Sequence, residues 1–351
     1  MKKTPPPASD AIVSLEPYTS ARMLNALSPD GVYLDANEAP RSFGFPPVDL
    51  GDIRHYADDK ASLEEAYASY AGRKPDDVLG MRGVDEAVDL VIRAFCEPKE
   101  DSILTFTPTY GGYAAAAAAH RVELQKMPFG KDSSFDVETA ARSGARVIFL
   151  CRPNNPTGSV ASLADVQALA EAVPDRTVVA VDEAYIEFTE EASALTLLDR
   201  YPNIIIMRTM SKAFGLAGAH VGFTIAHPDV TDAMKKIINP YPLPDPCIQL
   251  AMASLGSEGL AFLKEAVGSI RQTRDSFSAK LEKHSRCLEL LPSETSFLAG
   301  RFEDAQGIYE RLRAEKIFIR PLAPMYGEGG WLRFTIGTTE EMDRIAAILG
   351  L

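Results

Sequence analysis

Short apolar runs recur through the middle of the chain at 102–106, 147–151, 177–181 and 203–207, each followed by a cluster of polar and turn-forming residues. The runs are mostly aliphatic from end to end and do not alternate with polar residues, the pattern of strands covered on both faces in a parallel sheet. Helical patterns separate and precede them. One covers 62–71, with Ser62 as candidate N-cap and Gly72 as its stop, and another follows Gly83 with apolar positions at 87, 88, 91, 94 and 95. An alanine run at 114–119 is high helix propensity, and a further helix is expected at 162–172.

The pattern changes at 239–246, where prolines at 240, 242, 244 and 246 mark a domain crossing. Beyond it the chain predicts helices near 246–256 and 259–285, a strand near 297–302, a helix near 304–315, strands at 317–320 and 331–336, and a last helix from Thr339. The fold expected is α/β: a large domain with an open, mainly parallel sheet, and a smaller α+β domain built from the N-terminal segment and the C-terminal third. The divisions expected are 1–46 (an arm and part of the small domain, with a short strand at 32–35), 47–240 (large) and 241–351 (small), Pro46-Pro47 marking the first break.

Ligands of open parallel sheets lie beyond the carboxyl ends of the strands, and this chain gathers its polar groups there. The run at 147–151 leads into a loop pinned by two prolines and a glycine that presents Asn154 and Asn155; the run at 177–181 leads into Asp182 and Tyr185; the run at 203–207 leads into Thr209, Ser211 and Lys212. A lysine just past a buried strand is partly desolvated, which lowers its pKa and makes its neutral amine a usable nucleophile. The neighbouring hydroxyls suit a phosphate. A carboxylate at the tip of an apolar strand needs a cation, and a protonated pyridine nitrogen is one. Together these suggest an aldehyde cofactor that carries a phosphate, pyridoxal 5′-phosphate, held as a Schiff base.

Residue by residue, plainer readings stand beside these. Lys212 alone reads as a surface loop lysine. Tyr110 either stacks on a flat ring or simply packs. Asp85 either caps the helix that starts near Gly83 or leaves its amides to an anion, and the two are compatible. Tyr18 and Asn37 fit ordinary turns. Arg320 and Arg333, on or beside strands, either close internal salt bridges or bind an anionic ligand.

A net charge of −13 argues against nucleic acid and acidic membrane surfaces as partners. The histidines at 55, 120, 220, 227 and 284 lack metal-ligand spacing, so no metal is expected. Neither a GxGxxG nor a GxxxxGK[ST] motif occurs. The cysteines form no CxxC pair, and no apolar stretch follows the basic N-terminus, so a soluble, cytoplasmic protein is expected.

The combination of Asn-Asn-Pro-Thr-Gly at 154–158, Asp-Glu-Ala-Tyr at 182–185, Ser211-Lys212 and Leu-Arg-Phe-Thr-Ile-Gly at 332–337 resembles the pyridoxal-phosphate aminotransferases of fold type I. Within them the chain is most similar to the histidinol-phosphate aminotransferase family, through Pro17-Tyr18, Ala36-Asn37-Glu38, Arg-Gly-Val-Asp-Glu at 82–86, 92–98, Thr-Pro-Thr-Tyr-Gly at 107–111 and 239–243, in collinear order over about 14–350. The resemblance implies transamination of L-histidinol phosphate with 2-oxoglutarate to imidazole-acetol phosphate and glutamate. It implies that Lys212 holds the cofactor and moves the proton at the substrate Cα, that Asp182 pairs with the ring nitrogen, and that Asn155 and Tyr185 bond the phenolic oxygen. Tyr110 would stack on the ring, and Thr209, Ser211 and the amides near Val84 and Asp85 would hold the phosphate. Tyr56 would reach the cofactor of the other subunit of a homodimer, and Tyr18, Asn37, Arg320 and Arg333 would bind substrate.

His220 departs from the family, which places an arginine there. Imidazole lacks the bidentate fork and is only partly charged near neutrality. Losing one charge-assisted bond of ~1.5–3 kcal/mol weakens cofactor retention by about one to two orders of magnitude. Ser296 is a second departure, where relatives commonly carry asparagine. Rival readings are an aromatic amino acid aminotransferase and a pyridoxal-phosphate decarboxylase of the threonine-phosphate type. A ligand-sensing regulator with an aminotransferase-like body would need a DNA-binding module, which residues 1–30 are too short and Pro-rich to supply.

Overall fold

The computed structural model describes residues 10–13, 22–24, 29–48, 54–57 and 59–351. Tyr18 lies outside them, as do residues 1–9, 14–17, 19–21 and 25–28 of the expected N-terminal segment. The helices are α1 (Asp10–Val13), α2 (Lys60–Ala71), α3 (Gly83–Phe95), α4 (Gly112–His120), α5 (Val137–Ala141), α6 (Leu163–Ala172), α7 (Pro228–Lys235), α8 (Asp245–Leu255), α9 (Ser257–Leu281), α10 (Ala305–Ala314) and α11 (Thr339–Leu349).

Seven strands form the large sheet: β2 (Val78–Met81), β3 (Ser102–Thr107), β4 (Glu123–Pro128), β5 (Val147–Cys151), β6 (Val178–Asp182), β7 (Ile204–Thr209) and β8 (Gly222–Ala226), in the spatial order β2-β8-β7-β6-β5-β3-β4. From β4 to β7 every pairing is parallel; β8 runs antiparallel to both its neighbours. The sheet is mainly parallel, as the unbroken apolar runs require. On β5, Val147, Phe149 and Cys151 enter one core while Ile148 and Leu150 enter the other. On β7, Ile205 and Met207 face the first core, Ile204 and Ile206 the second. Both faces are covered by helices, so no position on these strands tolerates a polar side chain without a partner.

The second sheet has five strands, β1 (Val32–Leu34), β9 (Cys287–Leu290), β10 (Phe297–Phe302), β11 (Ile317–Pro321) and β12 (Trp331–Thr335), ordered β1-β11-β12-β10-β9. Here β1 pairs parallel with β11 and the remaining pairs are antiparallel. The N-terminal strand is thereby tied to strands almost three hundred residues away, and the segment after it (Asp35 to Glu38) is carried to the large sheet's carboxyl edge.

Several local expectations need correction. Helix α2 begins at Lys60 with Asp59 in the N-cap position, so Ser62 lies inside it; an ion pair between Lys60 and Glu64 supports the added turn. Arg82 occupies the N-cap position of α3, and Asp85 is its third residue. Strands β2, β4, β8 and β9 go beyond the expected set. β4 and β9 are edge strands with half-exposed, partly polar positions, while β2 and β8 each contain a glycine, which blurs a short apolar pattern.

Candidate active site

The carboxyl ends of β3, β5, β6 and β7, the start of α3 and the residues after β1 enclose a cavity of about 780 Å³, which Arg320 and Arg333 of the second sheet close from the far side. That is ample for a cofactor with a small substrate. A smaller cleft of about 200 Å³ beside Arg41 and Thr339 gathers no comparable chemistry. The large cavity brings together Asn37, Val84, Asp85, Tyr110, Asn155, Asp182, Tyr185, Thr209, Ser211, Lys212, His220, Arg320 and Arg333. Tyr56 is not among its lining residues: it is 74% exposed and stacks on Tyr241, ring centroids 4.1 Å apart and 7° from parallel.

Lys212 lies just past β7, with its amine donating to the Ala36 carbonyl at 3.0 Å. The residue keeps some surface in the cavity, yet its amine lies inside the protein envelope, and burial, followed by the Arg333 charge, pushes its pKa down to about 8. Asp182 ends β6, with 3% of its surface exposed. Burial pushes its carboxyl up to about 6, against the bonds from the Tyr113 hydroxyl and the Ala184 amide, which stabilise the ionised form. A depressed amine and a raised carboxyl facing one cavity mark a site built for chemistry.

At the opposite end the start of α3 offers the amides of Val84 and Asp85, where the helix dipole favours an anion. The backbone comes close here because two glycines permit it. Gly83 has φ +72°, and a Cβ on Gly222 would stand 2.6 Å from the Gly83 Cα. Thr209 and Ser211 line the same end, their hydroxyls 2.9 Å apart. His220 sits at the rim with φ 51°, exposed, at the end of a short 3-10 turn.

The remaining side chains hold one another. Tyr110 donates to Asp85 Oδ1 at 2.8 Å. Tyr185 is buried, which raises its phenol, and accepts from Asn37 Nδ2 at 2.8 Å; Asn37 also bonds Thr335 through its backbone amide (3.0 Å) and its Oδ1 (3.2 Å). Asn37 is therefore a support for Tyr185 as well as part of the wall, with φ 56° in the left-handed region that asparagine tolerates. Arg333 donates to Asn155 Oδ1 at 2.6 Å, a bond that joins the two sheets across the cavity, and to the Asp35 carbonyl at 2.7 Å, just past β1 of its own sheet. Sequence reasoning gave no role to Tyr113 or to the Ala36 and Asp35 carbonyls. The carbonyls carry no sequence signal, whereas Tyr113, three residues after Tyr110, was a visible candidate.

The arrangement presents an amine nucleophile, a buried carboxylate for a cation, an anion cradle and a pair of guanidinium groups. The family model for aminotransferase class I and II matches residues 49–349. The chain is 39% identical over 345 residues to a histidinol-phosphate aminotransferase of Aeromonas hydrophila, covering 97% of this chain and 96% of that protein. It is 38% identical over 340 residues to that of Yersinia pestis, covering 96% and 88%. The crystal structure of a histidinol-phosphate aminotransferase from Sinorhizobium meliloti in complex with pyridoxal-5′-phosphate superposes with a TM-score of 0.84 at 28% identity, covering 97% of this chain and 96% of that one. With the same order of chemistry along the same fold, this chain belongs to the class I and II aminotransferases.

Proposed function

We propose that the chain transfers the amino group of L-histidinol phosphate to 2-oxoglutarate, giving imidazole-acetol phosphate and L-glutamate in histidine biosynthesis, with pyridoxal 5′-phosphate as cofactor. The observation that carries the substrate assignment is the register of the second sheet: Arg320 and Arg333 stand directly opposite one another on β11 and β12. Two like charges facing each other across a strand pair are unfavourable by themselves and call for an anion between them. The phosphate of the amino donor and, in the other half-reaction, a carboxylate of the keto acid are such anions.

The residues present fit the cofactor: the glycine-lined approach of Gly83 and Gly222 leaves room for a phosphate at free amides, and the buried Asp182 carboxylate needs a cation at the other end. When bound, pyridoxal phosphate supplies an aldehyde that takes up an amino group and a ring that accepts the electrons released when the substrate Cα–H bond breaks. Val84 and Asp85 amides, Thr209, Ser211 and His220 would hold its phosphate, Asp182 its ring nitrogen, Asn155 and Tyr185 its phenolic oxygen, and Tyr110 one ring face. Lys212 Nζ would take the proton from the Cα of the amino donor in one half-reaction and deliver one to the Cα of glutamate in the other, a task suited to an amine with a pKa near the working pH. Tyr185 and Asn155 orient; Arg333, already fixed by Asn155 and the Asp35 carbonyl, receives the anion with little loss of side-chain freedom.

The working unit inferred is a homodimer. The exposed Tyr56–Tyr241 stack supports an interface there, with Tyr56 serving the neighbouring subunit's cofactor. The location inferred is the cytoplasm, in keeping with free cysteines at 96, 151, 247 and 287; among the described residues no helix is long and apolar enough to cross a membrane. The aromatic aminotransferase and decarboxylase readings gain no support from relatives at 38–39% identity. Purified protein is tested against histidinol phosphate, phenylalanine, tyrosine and threonine phosphate with 2-oxoglutarate as common acceptor. Glutamate formed fastest from histidinol phosphate is the expected result; a preference for any other donor, or product without glutamate, overturns the assignment.

A further inference from the structure

Tyr113 lies in the first turn of α4 and is fully buried. Its ring stacks on Phe149 (centroids 5.0 Å, 11°) and meets Tyr110 edge-on (5.6 Å, 90°). Its hydroxyl donates to Asp182 Oδ2 at 2.6 Å, while Asp182 Oδ1 accepts from the Ala184 amide at 3.0 Å. Each carboxylate oxygen thus has one fixed donor, and the carboxylate plane cannot turn without breaking one of them. Tyr110 precedes the Gly111 cap of α4 and packs edge-on against Tyr113 inside it, so the ring expected against the cofactor face and the hydroxyl on the carboxylate are held together at the start of this helix.

We infer that Tyr113 is a positioning residue for the reaction: its hydroxyl fixes the orientation of Asp182 and keeps it ionised to meet the cofactor's ring nitrogen. The inference rests on the pyridoxal-phosphate reading above and deepens it. Asp182 is faced by Tyr113 from α4, Asp85 from α3, Cys151 from β5, Tyr185 from its own loop and Lys212 from beyond β7. Among these Asp85 opposes its ionisation and Lys212 favours it from a distance. The Tyr113 hydroxyl is the side-chain donor in direct contact. Burial and the Asp182 charge raise the phenol well above its usual range, so it remains a donor at every working pH. Without it, a carboxyl already pushed upward by burial rises further and loses its charge within the working range.

Tyr113→Phe keeps the ring and its packing. Wild-type and variant apoproteins are titrated with pyridoxal phosphate across pH, following the visible absorption of the bound cofactor, and kcat and KM are measured for the amino donor. The expected result is a cofactor affinity about ten- to hundredfold weaker. The acid limb of the binding profile should move up by about one pH unit, with kcat reduced and donor KM little changed. In an Asp182→Asn background the same change should cost only a small part of this, because the charge it supports is gone. Replacement of Tyr113 by 3-fluorotyrosine, a stronger donor of nearly the same shape, should move the acid limb the other way and covers the case in which Tyr113→Phe folds poorly. An unmoved acid limb in both variants, or equal losses in both backgrounds, overturns the inference while leaving the functional reading intact. Failure of the wild-type protein to take up pyridoxal phosphate overturns both.

Discussion

Arg320 and Arg333 face one another across the antiparallel pair of β11 and β12, two guanidinium-bearing residues at one position of the ladder. Arg333 is held by Asn155 and the Asp35 carbonyl, bonds that its own removal would break. Arg320→Ala should raise KM for the phosphorylated donor by about tenfold or more, the worth of one charge-assisted bond. Steady-state kinetics checks this; an unchanged KM for the phosphorylated donor removes Arg320 from the site.

Asp182 carries a stability cost that its proposed task explains. Its carboxyl titrates near 6 in the fold, against 3.8 for the free group. The native state therefore binds the proton more tightly, and stability is lost as pH rises through that window, of order 3 kcal/mol once both states are ionised. Asp182→Asn should make the apoprotein more stable than wild type at neutral pH, the difference shrinking toward pH ~4, while cofactor retention collapses. Denaturant unfolding of both apoproteins as a function of pH measures this; a variant less stable than wild type at neutral pH contradicts it.

Gly222 lets β8 lie against the start of α3, where the phosphate cradle is proposed. A Cβ there would stand 2.6 Å from Gly83 Cα and 2.8 Å from the Arg208 carbonyl, both backbone atoms that cannot swing away. Gly222→Ala should cost about 1–3 kcal/mol of stability and weaken cofactor binding further than stability alone accounts for. Gly218→Ala, where nothing lies within 4 Å of the added atom, is the control. Equal melting temperatures for the two variants would show that the approach is looser than described.

His220 stands at the cavity rim where the resembled family has arginine. His220→Arg, which supplies a bidentate guanidinium fork, should bind pyridoxal phosphate about ten- to hundredfold more tightly than wild type. Fluorescence titration of the two apoproteins decides it, and matching affinities would take His220 out of the phosphate site.

Tyr56 offers a test of the dimer. If its hydroxyl serves the neighbouring subunit, a hybrid of Lys212→Ala and Tyr56→Phe chains has one site with both lesions and one with neither. Activity after unfolding and refolding the two variants together should exceed the mean of the two refolded apart. Strict averaging would assign Tyr56 to its own subunit's surface.

Where a residue's environment was set by its own strand, it was legible in the sequence. The unbroken apolar runs required strands covered on both faces, and Asp182 and Lys212 at their ends declared a carboxylate and an amine at the carboxyl edge, because burial on both sides leaves only the tips for chemistry. The edge strand β4 was not legible, since a half-exposed strand accepts polar residues and loses its pattern. Nor was the start of α2, where the Lys60–Glu64 pair extends the helix past the serine that looked like its cap.

Only the tertiary structure decided what stands opposite what. Pairing β1 with β11 carries Ala36 and Asn37 to the amine of Lys212 and the phenol of Tyr185. The register of β11 on β12 sets Arg320 against Arg333, and the first turn of α4 sets Tyr113 on Asp182. Periodicity reports which face of its own element a residue occupies; contacts between residues tens to hundreds of positions apart depend on strand register and helix docking, which the whole packed core fixes at once.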